Sequence, residues 1–355
     1  MKKVGIILIN YKDYAEKFMD ECWSGLMRQT YPKELTKIYI VDNAATDETH
    51  IFLNSNYSSA TIVTRPDGNY AAGNNAGIEQ AKNDGCEYFV IVNMDVAFES
   101  DWLSELVKAL ESNLQIGIAQ SKVLLYEKDE LGNSLVNSLG NSFHYLGFGF
   151  TDGYQKKDKS EAQNVTEIKG YASGCSLIIK REVLDKIGAY DEEYYMYHDD
   201  LEFSWRAKLA GYKIVLANRS VIHHKYEFNR SVRMLYYMER NRFLAIFTYY
   251  RFRTLIVIFP ALVFLEGGMW LYAGMRGWLK TKTRVAGYFL QPKSWTHIIQ
   301  MRKEVNKYRK ISDKEMMVGF KGRVEFQEIN NPLLKYIGNP ILNTYFNLIK
   351  KLIKW

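Results

Sequence analysis

Short, unbroken apolar runs alternate with stretches of helical spacing over the first hundred residues. Val4-Gly5-Ile6-Ile7-Leu8-Ile9 has strand length and stops at Asn10-Tyr11, as a strand buried on both faces should. Residues 14 to 28 place Phe18, Cys22, Leu26 and Met27 among polar residues at roughly helical spacing, and Gln29-Thr30-Tyr31-Pro32 breaks the pattern. Further strands are predicted at Lys37 to Val41, Ala60 to Thr64 and Tyr88 to Val92. Later, a helix is expected from Asp200 to Leu209, closed by Gly211, with a strand at Tyr212 to Ala217. Strand, helix and strand in turn predict an α/β fold with a mostly parallel sheet, flanked by helices and joined by right-handed crossovers.

Chemistry gathers where these runs end. Asp95, in Asn93-Met94-Asp95-Val96, follows a buried strand, and open α/β sheets bind ligands at the carboxyl ends of their strands. Taken alone, Asp95 serves equally well as the cap of a turn. The segment Gly68 to Gly77 runs into a helix. Its small residues allow close backbone approach, either for an anion at the helix N-terminus or for helix-on-strand packing. It has neither the ending of a P-loop nor dinucleotide spacing. Asp199-Asp200-Leu201-Glu202 supplies acids for proton abstraction or for complementing a helix dipole, and the two roles are compatible. Glu202 points away from Asp200 once the helix has begun.

In order along the chain stand Ile9-Asn10-Tyr11, Val41 to Asp47, Asn69 to Gly77, Val92 to Asp95, Ala172 to Arg181, Gly188 to Glu192, Tyr197 to Arg206 and Ala210-Gly211-Tyr212. This series resembles the family 2 glycosyltransferases, specifically their rhamnosyltransferase-like branch, over residues 4 to about 245, with a looser likeness through Arg240-Asn241-Arg242. The resemblance implies a GT-A fold, a nucleotide-diphosphate sugar as donor, Mg²⁺ or Mn²⁺, and transfer with inversion. It places Asn10, Tyr11, Asp42, Asn43, Asn69, Asn74, Asn93 and Asp95 around the donor. Asp95 takes the metal-binding position of a D-x-D-type motif whose first acid is here Asn93, with Met94 in place of the usual proline. Aligned on the family's Glu-Asp pair, Asp199 takes the first position and Asp200 that of the general base. A family histidine falls at His223, favoured as a further metal ligand, with His224 in reserve.

Charge divides the chain. Residues 1–224 carry 23 Lys and Arg against 32 Asp and Glu, whereas residues 225–355 carry 24 against 8. The basic part is also apolar and aromatic: 254 to 275 approaches the length of a membrane span but contains Pro260, Glu266 and Gly267-Gly268. Helices lying in a membrane interface are therefore expected, ending in the amphipathic, basic stretch Ile341 to Trp355. The alternative is a helical appendage packed on the domain or on a second subunit, giving a homo-oligomer. Nucleic acid is not expected, because no binding module accompanies the charge. The expected division is a catalytic domain, 1–245, and a helical region, 246–355, for membrane or oligomer contact.

Cys22, Cys86 and Cys175 lack paired or metal-type spacing, and Met1-Lys2-Lys3-Val4 leads straight into the first strand. Together these predict a cytoplasmic protein, peripheral on the inner face of the membrane. The resulting expectation is a hexosyltransferase, with rhamnose first, using a dTDP- or UDP-sugar and a glycan or polyprenyl-diphosphate-linked acceptor. Its rivals are a non-catalytic membrane scaffold that keeps the nucleotide-sugar fold, and a nucleotidyltransferase.

Overall fold

A computed structural model describes residues 1–159, 163–226, 235–325 and 331–355. Two compact units emerge. One comprises residues 1–141, 151–207 and the strand that follows Tyr212; the other takes 142–150, 208–211 and the helices from Leu235 onward. Residue 245 lies inside one of those helices, Leu235–Tyr249.

The strands are β1 (Val4–Tyr11), β2 (Thr36–Asn43), β3 (Thr61–Arg65), β4 (Tyr88–Val92), β5 (Val96–Phe98), β6 (Ile116–Leu125), β7 (Val136–Ser138), β8 (Asn141–Phe143), β9 (Gly149–Thr151), β10 (Val165–Glu167), β11 (Ser176–Lys180) and β12 (Lys213–His224). Interspersed helices are α1 (Tyr14–Met27), α2 (Asp47–Asn56), α3 (Tyr70–Asn83), α4 (Trp102–Glu111), α5 (Arg181–Ile187) and α6 (Asp199–Leu209). The main sheet runs β10-β12-β6-β11-β4-β1-β2-β3, with β5 on β12 and β7 on β6, and β8 pairs with β9 separately. The expected parallel order holds from β4 through β1 and β2 to β3. Beyond β4 the sheet is mixed, because β11 inserts antiparallel between β4 and β6.

Alternation along β1 sorts the core. Ile6 and Leu8 join Met19, Cys22, Leu26, Trp102 and Leu106 in one apolar cluster, where full burial of each such side chain is worth about 1.5–3 kcal/mol. Ile7 and Ile9 face α3 instead. A Cβ on Gly77 would stand 2.5 Å from Ile7 Cγ2, and one on Gly73 3.5 Å from Ile9 Cδ1. Of the two readings of Gly68 to Gly77, helix-on-strand packing therefore accounts for Gly73 and Gly77. All three cysteines are free and buried.

The second unit is helical: Leu235–Tyr249, Phe252–Arg276, Leu279–Phe289, Pro292–Tyr308, Asp313–Met317 and Asn339–Leu352. Tyr145, Phe148 and Phe150 are buried, Tyr145 stacking on Phe346 at 4.8 Å. A charged quartet lies inside this unit. Lys282 Nζ donates to Glu239 at 2.8 Å and Glu266 at 2.6 Å, while Arg242 pairs with both acids and lies 4.4 Å from the Phe148 ring.

Candidate active site

Three strand exits turn sharply at one edge of the sheet. After β1, β2 and β3 the chain passes through Lys12, Ala44 and Gly68 with φ of 57°, 76° and 68°, a left-handed conformation that side chains other than glycine rarely adopt. Such outliers concentrate at functional sites. The register sets Asn10 beside Asp42 and Tyr11 beside Asn43. Asn10 Nδ2 donates to Asp42 Oδ1 at 2.9 Å, and Thr49 Oγ1 donates to Oδ2 at 2.7 Å. Asp42 is thereby fixed and fully buried, whereas Tyr11 is exposed. Asn43 and Asn74 are buried with an amide oxygen unbonded in each. Asn69 caps α3 through Ala72 N and donates Nδ2 to Glu192 O at 3.0 Å.

Asp95 follows β4, is 2% exposed, and has Oδ1 3.3 Å from His224 Nε2. The other ring nitrogen of His224 meets Asn137 Oδ1 at 2.9 Å. Burial works to lower the imidazole's proton affinity, but the Cys175 sulfur and the Asp95 carboxylate push it up to about 10. Of the two histidines, His224 and not the favoured His223 lies beside Asp95. Successive strand residues point to opposite faces, so β12 turns His224 toward Asp95 and sends His223 to Glu99, 3.0 Å away.

Asp199 and Asp200 open α6 as expected. Asp200 Oδ2 accepts from Gly174 N at 3.1 Å and Oδ1 from Leu201 N at 2.8 Å. Burial raises its pKa to about 6, against the lowering effect of those backbone donors. The Asp199 carboxyl is raised as well, by burial and then by the charge of Asp200. The next residue along the Gly174 turn, Cys175, accepts Asn93 N at 3.0 Å through its carbonyl. One turn is thus tied to both acidic segments.

Glu202, on the same helix, does different work. It forms a fully buried pair with Arg206, whose guanidinium also donates to the carbonyls of Ile187 (2.5 Å) and Ala189 (2.7 Å). Ahead of α6, Tyr195 has φ 63° and ψ −64°, and Met196 N donates to Tyr194 O at 2.7 Å. That is a γ-turn of the rare, strained kind. Tyr197 and His198 are left-handed as well.

The family profile Glycosyl transferase family 2 matches residues 5–188, more than half of the chain. The chain belongs to glycosyl transferase family 2. Over 250 residues it is 23% identical to a low-salt glycan biosynthesis hexosyltransferase, Agl10, of Haloferax volcanii, covering 68% of this chain and 75% of that protein. A shorter likeness, 33% over 57 residues, covers 16% of this chain and 19% of N-acetylglucosaminyl-diphospho-decaprenol L-rhamnosyltransferase of Mycobacterium tuberculosis. Among solved structures, GalNAc-T7 with UDP, GalNAc and Mn²⁺ superimposes with a TM-score of 0.55 at 12% identity, covering 74% of this chain and half of that one. The likeness bears on the fold.

As a family 2 glycosyltransferase the protein is an enzyme, not a scaffold that lost transfer or a nucleotidyltransferase. Among the described residues no three His, Cys, Asp or Glu side chains converge as a complete metal site. Asp95 and His224 fit a different arrangement, in which a hard cation displaces the proton that His224 otherwise holds beside Asp95, takes one or two protein ligands and draws the remaining oxygens from a bound diphosphate. Several contributors escaped the sequence reading. Tyr70 donates its hydroxyl to Asn93 Oδ1 at 3.4 Å, and Asn75 exchanges hydrogen bonds with the backbone of Tyr190 at 2.8 and 2.9 Å. Cys175 stands beside His224. Each lies inside a quoted motif, yet the tie that matters is long-range and has no periodic signature.

Proposed function

We propose that this glycosyltransferase moves a hexose, rhamnose as first choice, from a dTDP- or UDP-sugar with inversion at the anomeric carbon. The acceptor is a glycan or a sugar carried on a polyprenyl diphosphate, met at the cytoplasmic face of the membrane. The observation that carries the reading is the half-buried Asp200. Its pKa is raised to about 6, and two backbone N–H groups aim it on a turn shared with the Asn93–Asp95 segment. Similarity to a hexosyltransferase and to a rhamnosyltransferase named for a decaprenyl diphosphate supports the sugar and the acceptor class.

The residues divide the work. Asp42, locked by Asn10 and Thr49, sits with Asn43 and Tyr11 on the base and ribose side, while Asn69, Asn74 and Asn93 offer polar contacts to ribose or diphosphate. Asp95 and His224 would hold the divalent ion, Mg²⁺ or Mn²⁺, which when bound supplies positive charge against the departing diphosphate. Burial and mutual repulsion raise both Asp199 and Asp200, so the pair holds a proton to higher pH than an open carboxylate. Ionised at neutral pH and still basic enough to accept a proton, Asp200 takes the acceptor hydroxyl's hydrogen as the new C–O bond forms. The bond from the anomeric carbon to the diphosphate breaks, and the diphosphate leaves with the electron pair.

Purified protein is incubated with UDP-, GDP-, dTDP- and CMP-sugars, Mg²⁺ or Mn²⁺ and a soluble acceptor glycoside, and nucleotide release is followed. One donor should support release, and Asp200→Asn should lower it by roughly 10²–10⁴-fold. Release that the substitution leaves intact removes Asp200 from the mechanism.

A further inference from the structure

The helical unit leaves apolar side chains uncovered in a continuous arrangement. On Phe252–Arg276, Phe252, Ile256 and Phe259 are 70, 59 and 60% exposed, and the stripe continues through Val263 and Leu271 to Met275, all exposed. The first three line an apolar cleft of about 580 Å³ together with Trp295 and Ile299 of Pro292–Tyr308. On its other flank the same helix is tied to Asn339–Leu352, whose Tyr345 hydroxyl donates to Val257 O at 2.7 Å and which exposes Ile341, Leu348 and Leu352. Three helices of this unit therefore carry exposed apolar side chains beside one another, a feature that marks a protein or membrane contact.

Charge decides between those occupants. Phe252–Arg276 has one acid, Glu266, and it is turned inward to Lys282 and Arg242. Asn339–Leu352 has none, and Glu304 of Pro292–Tyr308 is paired with Lys307. The exposed charges on these helices include Arg253, Lys303 and Lys351, with Arg251 at the N-terminus of the first. A second copy docked on this face would bring cations against cations, whereas anionic lipid complements them.

The inward face settles how the helix meets the bilayer. Its 25 residues are long and apolar enough to cross a membrane, but Ile258, Leu262 and Leu265 are buried and Glu266 belongs to the charged quartet. Threading the helix through hydrocarbon would strip both. We infer that the exposed faces of Phe252–Arg276, Pro292–Tyr308 and Asn339–Leu352 form a platform that inserts its aromatic and aliphatic side chains into one leaflet of an anionic bilayer without spanning it. This deepens the reading of a membrane-borne acceptor and rests on it only for the purpose of docking, since binding and transfer are measured separately.

The full chain is sedimented with phosphatidylcholine vesicles, with or without phosphatidylglycerol. Binding should require the anionic lipid and weaken as salt is raised. The triple variant Phe252→Ser, Ile256→Ser, Phe259→Ser should lose about a hundredfold in vesicle affinity. Its thermal melt and its nucleotide release with a soluble acceptor should stay at wild-type values. Alkaline carbonate should strip the bound wild type from the vesicles. The platform is overturned if the wild type ignores anionic vesicles, if neutral vesicles bind it equally, or if the variant binds as well as the parent. Resistance to carbonate overturns the one-leaflet arrangement, and a wild-type dimer that the variant dissolves assigns the face to a second copy. Absence of nucleotide release in both proteins, with vesicle binding intact, counts against the proposed transfer and leaves the platform standing.

Discussion

The two units handle charge in opposite ways. The helical unit buries Glu239, Arg242, Glu266 and Lys282 as two acids against two cations and leaves apolar side chains in the open. The sheet unit buries its apolar side chains, and at the acids that open α6 it sets Asp200 against the backbone N–H groups of Gly174 and Leu201, with no cation paired to it among the described residues. Within α6 the contrast shrinks to one turn: among the described residues Glu202 has Arg206, and Asp200 has the N–H groups of Gly174 and Leu201. A compensated buried charge fixes structure, and an uncompensated one is available for proton transfer.

The largest effect should come from breaking compensation. Arg206→Met breaks the buried ion pair with Glu202 and frees the Ile187 and Ala189 carbonyls, so stability should fall by about 3–5 kcal/mol. Urea unfolding of the variant against wild type measures it. The double variant Glu202→Met, Arg206→Met should recover most of that loss. If the single variant is as stable as wild type, the pair is not what holds the Ile187–Ala189 turn.

Removing the raised carboxylate of Asp200 should do the reverse. The folded chain binds the Asp200 proton more tightly than an unfolded chain, whose carboxyl titrates near 3.8. The stabilising contribution of this site is therefore complete below that value and lost as pH rises through about 6. Asp200→Asn should raise stability by about 2 kcal/mol at pH 8, solvent at the half-buried carboxylate screening part of the shift, and by little at pH 4. Melting curves at the two pH values check it. For the wild type, kcat/KM should climb with pH through the same region and then level off.

How much of this could be read along the chain follows from range. β1, β4 and α6 are legible because apolar runs and helical spacing are local, and Gly211 does mark the end of α6. The resemblance places Asp95, Asp199 and Asp200 because motif order survives without any contact being known. Antiparallel insertion of β11 is invisible, since the three apolar residues Leu177 to Ile179 in the five-residue strand Ser176–Lys180 read alike in either direction. Tyr70 and Asn75 work through partners 23 and 115 positions away, a separation that no window of sequence spans. The choice between His223 and His224 turns on strand register, and one residue of register exchanges the faces.

That choice yields the smallest predicted effect and the sharpest control. His223 and Glu99 meet at 3.0 Å with side chains 25% and 56% exposed, while His224 and Asp95 are 10% and 2% exposed. An open pair of this kind contributes about 0–1 kcal/mol. His223→Ala should thus leave nucleotide release within about twofold and stability within about 0.5 kcal/mol of wild type. His224→Ala, by removing the side chain that faces Asp95, should shift the divalent-ion concentration needed for half-maximal release upward by at least about tenfold. Titrating Mn²⁺ against release in both variants compares the two histidines directly. A shift with His223→Ala and none with His224→Ala would return the ligand to the outer face of β12 and break the link between burial, register and chemistry.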